Sequence, residues 1–196
     1  MTALHPARPG HALVEVDGER WRTVSLDVAA KSGLAVGVAL DRERLRTLRR
    51  ELRRGDALAR GARALAHRDR SERGLRQLLA GKGVGERERE EAVAALRRHG
   101  ALDDERFAQS HAGALAERGF GDAAIAFRLE HEGVGGELAA AALATLEPER
   151  VRACRFAARR GGSAKTARWL SGRGFSADSI EAALAGVAES EGAELG

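Results

Sequence analysis

Apolar residues recur along this chain with two different periods. Between residues 11 and 25, "HALVEVDGERWRTVS", Val14 and Val16 alternate with polar neighbours. Trp21, Thr23 and Ser25 alternate likewise on the far side of Asp17-Gly18. A period of two marks a strand with one buried face, and Asp-Gly between two such runs is the strongest short-range hairpin signal. "GLAVGVAL", residues 33–40, can add a further short strand. From Asp41 the period lengthens: Leu45, Leu48 and Leu52 recur at i, i+3 and i+7, with Arg on the other faces. Asp41 suits a helix N-cap and Gly55 a stop.

The remainder repeats. "SERGLRQLLAGKGV" (71–84), "GDAAIAFRLEHEGV" (121–134) and "GSAKTARWLSGRGF" (162–175) share one frame. In each, a Leu (Leu79, Leu129, Leu170) precedes a Gly (Gly83, Gly133, Gly174) by four residues, and an apolar residue follows that Gly at once. The glycine takes a left-handed C′ position and the next apolar side chain folds back on the last turn. Further apolar positions, Val93, Leu143 and Leu184, lie ten residues beyond each Gly. Helical segments over 56–69, 104–118 and 149–160 precede the shared stretches, so each repeat is three short helices. A period of 40 to 50 residues also fits armadillo and HEAT arrays, whose helices are longer and richer in Leu.

The stretch "LRRHGALDDERFAQSH" links the first repeat to the second. Asp103 is placed as N-cap, with Asp104 and Glu105 in a first turn where carboxylates meet the helix dipole favourably. Leu102 and Phe107 are then the N′ and N4 residues of a hydrophobic staple. Arg97, Arg98, His99 and Gly100 close the preceding helix. The competing reading, a metal-binding or catalytic Asp103–Asp104 dyad, requires ligands that the spacing does not supply.

Composition adds a partner class. The net charge is +4, and only Lys31, Lys82 and Lys165 are lysines, so nearly every cation is Arg. Residues 60–76 carry Arg60, Arg63, Arg68, Arg70, Arg73 and Arg76 against Asp69 and Glu72. Residues 149–173 carry Arg150, Arg152, Arg155, Arg159, Arg160, Lys165, Arg168 and Arg173 against Glu149. Such segregation points to anion-facing surfaces, and Arg pairs equally well with carboxylate or phosphate. The end of the chain turns acidic at Asp178, Glu181, Glu189, Glu191 and Glu194. The single Cys154 excludes a disulfide framework. Without a signal-peptide pattern or a long apolar run, the expected compartment is the cytoplasm, with no membrane contact.

Three motif matches fail on inspection. Gly119-Phe120-Gly121-Asp122-Ala123-Ala124 fits a dinucleotide fingerprint but follows a helix rather than a strand. Lys165-Thr166 ends like a phosphate loop, with Arg159 and Ala164 where glycines belong. His131-Glu132 opens like a zinc-protease helix and meets Gly135 where the second His belongs. No cofactor, metal or catalytic residue is expected.

Taken in order, "HRDRSERGLRQLLAGKGV", the Leu-Asp-Asp-x-x-Phe-Ala corner and "GFGDAAIAFRLEHEGV" strongly resemble the RecX family, regulatory proteins acting on RecA recombinase. The shared positions are Leu75, Leu79, Lys82-Gly83, Leu102, Asp103, Asp104, Phe107, Ile125, Leu129 and Gly133. The resemblance spans about residues 55–145 and extends weakly to about 185. Ala123, Ala124 and Ala126 stand where members often carry Arg or Lys, and Glu130-His131-Glu132 makes that helix end less basic.

The resemblance implies an all-α protein of tandem three-helix repeats in an elongated curved array, with the small β segment at its N-terminus. The expected division is a disordered tail (1–10), a hairpin and lead-in helix (11–55), three repeats (56–100, 101–147, 148–188) and an acidic flexible tail (189–196). It also implies a non-enzymatic monomer that binds the RecA filament groove and DNA, the latter weakly and through the backbone. Such a protein limits filament assembly or activity in recombination, DNA repair and the SOS response. The candidate contacts are Arg63, Arg68, Arg70, Arg73, Arg76, Lys82, Arg152, Arg155, Arg159, Lys165 and Arg168. The alternative is a helical DNA-binding protein acting without RecA, against which "DAAIAFRLEHE" offers a neutral-to-acidic helix.

Overall fold

The computed structural model describes residues 2–194, with the side chains of 190–194 left aside. Three antiparallel strands, β1 (Thr2–Pro6), β2 (His11–Val16) and β3 (Glu19–Ser25), form a sheet in sequence order. Ten helices follow among the described residues: α1 (Leu26–Lys31), α2 (Arg42–His67), α3 (Glu72–Gly81), α4 (Glu86–Arg98) and α5 (Asp104–Glu117), then α6 (Asp122–His131), α7 (Gly136–Ala144), α8 (Glu149–Arg160), α9 (Ala164–Gly172) and α10 (Ala177–Glu194). The protein is thus mostly helical with a small N-terminal sheet, as the sequence implied.

The chain divides into two compact units, residues 1–67 with 76–101, and residues 68–75 with 102 onward. In the first, the Asp17-Gly18 turn has both residues at positive φ, 52° and 87°, the geometry of a two-residue hairpin. Val14, Val24, Val28, Ala29, Leu34 and Leu48 form its core, so sheet, α1 and α2 share one apolar interior.

Several expectations change here. The tail expected at 1–10 contains β1, which pairs Thr2 with Val16 and Pro6 with Ala12. Residues 33–40 form no strand, although Gly37 N–H donates to the Thr2 carbonyl at 2.8 Å. On β3 the buried residue is Val24. Val14 pairs with Arg22 and Glu15 with Arg20, which leaves Trp21 as the extra, exposed residue of a bulge. Gly55 stops nothing: α2 runs 26 residues through it. An interior glycine costs about 1 kcal/mol, and the packing of α2 along α4 and α1 outweighs that. The acidic tail expected at 189–196 is helical to Glu194 as part of α10; residues 195 and 196 lie outside the described part.

In the second unit, α5, α6 and α7 enclose Phe107, Ala112, Leu115, Ile125, Leu129 and Val134, while α8, α9 and α10 enclose Ala153, Ala157, Leu170, Phe175 and Ala183. The many alanines bring helix backbones close together. Gly83, Gly133 and Gly174 have φ of 73°, 90° and 81°. The amides of Val84, Val134 and Phe175 donate to the carbonyls of Leu79, Leu129 and Leu170 at 3.0, 2.9 and 3.2 Å. These are three Schellman ends, each in the frame read from the sequence.

Candidate functional site

The Asp103–Asp104 pair is architectural. Asp103 has extended backbone and its Oδ1 accepts from the Arg106 amide at 3.0 Å, the N-cap bond expected. Leu102 and Phe107 are both buried, as a staple requires. Asp104 does more than sit in the dipole: its Oδ1 accepts from the Glu72 amide at 2.6 Å, satisfying the first turn of α3.

The same device recurs fifty residues on. Asp122, which opens α6 as Glu72 opens α3, donates its amide to Glu149 Oε1 at 2.8 Å. Glu149 Oε2 also accepts from the Ser176 amide (3.1 Å), Ser176 Oγ (2.6 Å) and Ser179 Oγ (2.9 Å) at the start of α10. Burial works against the Glu149 charge, and those hydrogen bonds overcome it, leaving its carboxyl below the usual range. Burial pushes Asp122 up, partly offset by the neighbouring Arg152 guanidinium. Arg152 is 1% exposed. It donates to the Glu147 and Phe120 carbonyls, both at 2.9 Å, and to Asp122 Oδ1.

Backbone contact tightens this corner. The Gly121 amide donates to the Arg173 carbonyl at 2.9 Å, and a Cβ on Gly121 would stand 2.3 Å from the Gly174 carbonyl oxygen. At the equivalent place one repeat earlier, Ser71 Oγ donates to the Glu132 carbonyl and accepts from the Gly74 amide at 3.0 Å.

The candidate cations scatter. Arg63, Arg76 and Lys82 belong to the first unit, and Arg68, Arg70 and Arg73 to the second. Arg76 is tied to Glu90 (2.9 Å), Arg68 to Glu132 (3.2 Å) and Arg155 to Glu147 (2.8 Å). Arg152 is withdrawn from the surface set, because its guanidinium is spent on buried carbonyls and Asp122. Arg63, Arg73, Lys82, Arg159, Lys165 and Arg168 are exposed, and Arg70 is half-buried.

Two features escaped the sequence reading. In the first unit, Arg8, His11, Arg22, Arg53 and Arg60 rim a cavity of about 670 Å³ floored by Val24, Val28 and Leu52. In the second, arginines interleave with rings. Arg128 and Arg173 lie 4.2 and 4.7 Å from the Phe120 centroid, and Arg173 and Arg160 lie 5.1 and 4.2 Å from that of Trp169. Arg118 and Arg128 continue into a groove of about 410 Å³ with Arg68, His111, Phe127 and His131. Burial and the cations Arg68, Arg118 and Arg128 lower the His111 pKa against the pull of Glu132. The residues are visible in the sequence, but their convergence from α5, α6 and the start of the unit is not. Among the described residues, no group of three His, Cys, Asp or Glu could hold a metal, and no helix is long and apolar enough to cross a membrane.

No family model matches the chain. It is 33% identical to the regulatory protein RecX of Serratia proteamaculans (strain 568), over 47% of this chain and 68% of that protein. A crystal structure of regulatory protein RecX superposes with a TM-score of 0.76 at 21% identity, covering 92% of this chain and 98% of the other. The crystal structure of RecX from Lactobacillus salivarius gives 0.57 at 19% identity, covering 68% and 97%. The fold agrees with both solved structures, and the Serratia sequence identity extends over two thirds of that protein; this chain belongs to the RecX family of regulatory proteins.

Proposed function

We propose that the chain is a non-enzymatic, cytoplasmic regulator of RecA that binds the RecA filament on DNA and limits its assembly or activity. The observation that carries this reading is membership of the RecX family. The exposed cations add to it: Arg159, Lys165 and Arg168 carry no carboxylate partner among the described residues. Several weak contacts held on one scaffold add through high effective concentration. In this reading the working units are the three-helix sets 56–100, 101–147 and 148–188, the first fused to the lead-in helix through α2.

The test is ATP hydrolysis by RecA on single-stranded DNA, with this protein titrated in, beside its binding to the same DNA alone. Inhibition well below the concentrations that saturate bare DNA is expected. No effect on hydrolysis, with tight binding and a steep salt slope, would make it a DNA-binding protein acting without RecA. Reversing charge at Arg155 and Arg159 is expected to weaken filament binding; unchanged affinity removes α8 from the contact surface.

A further inference from the structure

The sequence reads α6 as poor in cations, yet the structure gathers cations around its C-terminal half. Phe127 is 70% exposed, unusual for so large an apolar side chain beside a groove. Its ring lies nearly parallel to that of His131, at 16° and 6.4 Å between centroids, one helical turn on. Arg118, Arg128, Arg68 and half-buried His111 line the same groove. The lone acid lining the groove, Glu132, is already paired with Arg68. Beyond Arg128 the interleaved arginines and rings continue through Phe120, Arg173, Trp169 and Arg160.

An open aromatic face in a cationic groove matches one ligand chemistry well. Single-stranded nucleic acid offers unstacked bases with a π-face and phosphates at regular spacing, and proteins hold it by stacking rings within basic channels. A protein partner would call for an apolar surround to an exposed Phe. Here Leu115 and Ala124 are the only apolar residues that line the groove besides Phe127, Leu115 is buried, and the other exposed large apolar residue described in this unit, Val151, is on α8.

We propose that this groove binds single-stranded DNA, with Phe127 stacking on an unpaired base while Arg118 and Arg128 meet the flanking phosphates. The proposal rests on the reading above that the chain works on filaments assembled on DNA. It adds a base-stacking contact to one otherwise expected to be backbone-directed.

The experiment measures fluorescence anisotropy of labelled oligo(dT) and of an abasic oligonucleotide of equal length, using wild type, Phe127→Ala and Phe127→Trp, with RecA ATP hydrolysis followed in parallel. Phe127→Ala is expected to weaken oligo(dT) binding about tenfold and to leave the abasic strand unchanged. Phe127→Trp is expected to restore affinity. Since Phe127 is largely exposed, the alanine variant keeps the fold, which thermal melting checks. Equal affinity of wild type and Phe127→Ala for oligo(dT), or equal loss on both strands, overturns the stacking site. If Phe127→Ala keeps oligo(dT) affinity but loses RecA inhibition, the residue is a protein anchor: the DNA site fails and the regulator reading stands. If stacking holds while wild type leaves RecA untouched, only the regulator reading fails.

Discussion

Two corners of the second unit, one at Asp104 and one at Glu149, do the same work with different means. Each carboxylate occupies the first turn of a helix and accepts the opening amide of a helix from the preceding repeat, Glu72 or Asp122. Glu149 is one methylene longer, and it gathers donors from the start of α10 as well. The Asp104 corner seats its repeat through a serine hydroxyl, Ser71, on the Glu132 carbonyl. The Glu149 corner brings backbone to backbone, Gly121 on Arg173, and buries Arg152 beneath. Gly121 lets the backbones meet, and the Arg152 guanidinium beside them satisfies the Glu147 and Phe120 carbonyls. The lesson is that the Glu149 corner joins a buried guanidinium to a carboxylate with several donors, while the Asp104 corner relies on the fewer bonds of Asp104 and Ser71.

The sharpest way to break this contrast is Arg152→Met. It leaves the Glu147 and Phe120 carbonyls without their charged donor, while Asp122, 42% exposed, can turn to water. Two hydrogen bonds to a charged group at about 2 kcal/mol each make the expected loss about 4 kcal/mol. Urea denaturation should show that loss, and a loss below about 1 kcal/mol would mean the guanidinium is solvated rather than structural. Next is Gly121→Ala, whose methyl would press on the Gly174 carbonyl. Overpacking against backbone is expected to cost about 3 kcal/mol, whereas Ser71→Ala at the matching position should cost about 1 kcal/mol through loss of a cap. Equal costs would erase the difference between the corners.

Smaller again is the comparison of Glu149→Gln with Asp104→Asn. Hydrogen bonds to a charged acceptor contribute about 2 kcal/mol, so the glutamine variant should lose at least that, and the asparagine variant about half as much. The finest test is pH. Glu149 has its folded pKa depressed below 4.5. Its contribution is therefore complete above that unfolded value and lost as pH falls through the folded one. Asp122, raised above 3.8 by burial, runs oppositely: its ionisation weakens the fold as pH rises between the two values. The stability gap between wild type and Glu149→Gln should therefore narrow as pH drops below 4.5. A gap that stays constant into acid would assign the Glu149 contribution to shape rather than charge.

Much of the local architecture was legible beforehand, and its legibility has a physical basis. The Schellman glycines, the Asp103 cap and the Leu102–Phe107 staple each involve atoms within about six residues of one another, so spacing alone identifies them. The Asp17-Gly18 hairpin belongs to the same class. Misreadings arose where a remote partner decides the outcome. Residues 2–6 carry little strand pattern but gain order by pairing with β2. Gly55 has a breaker's propensity, which packing along α2 overrides.

The same boundary runs through the candidate site. Spacing and composition are enough to set short helices closed by glycines and joined at an Asp-Asp corner, in a chain rich in Arg and poor in aromatics. The sequence also carried the family pattern. Which arginines face water is settled by packing. In a sequence every Arg reads as solvated, because the cost of burying a charge is set by partners that arrive from elsewhere. For Arg152 those partners are the carbonyls of Glu147 and Phe120 and the carboxylate of Asp122. The groove around Phe127 follows the same rule: a ring becomes a platform only when folding sets Arg118 and His111 of the preceding helix segment, and Arg68, on its groove.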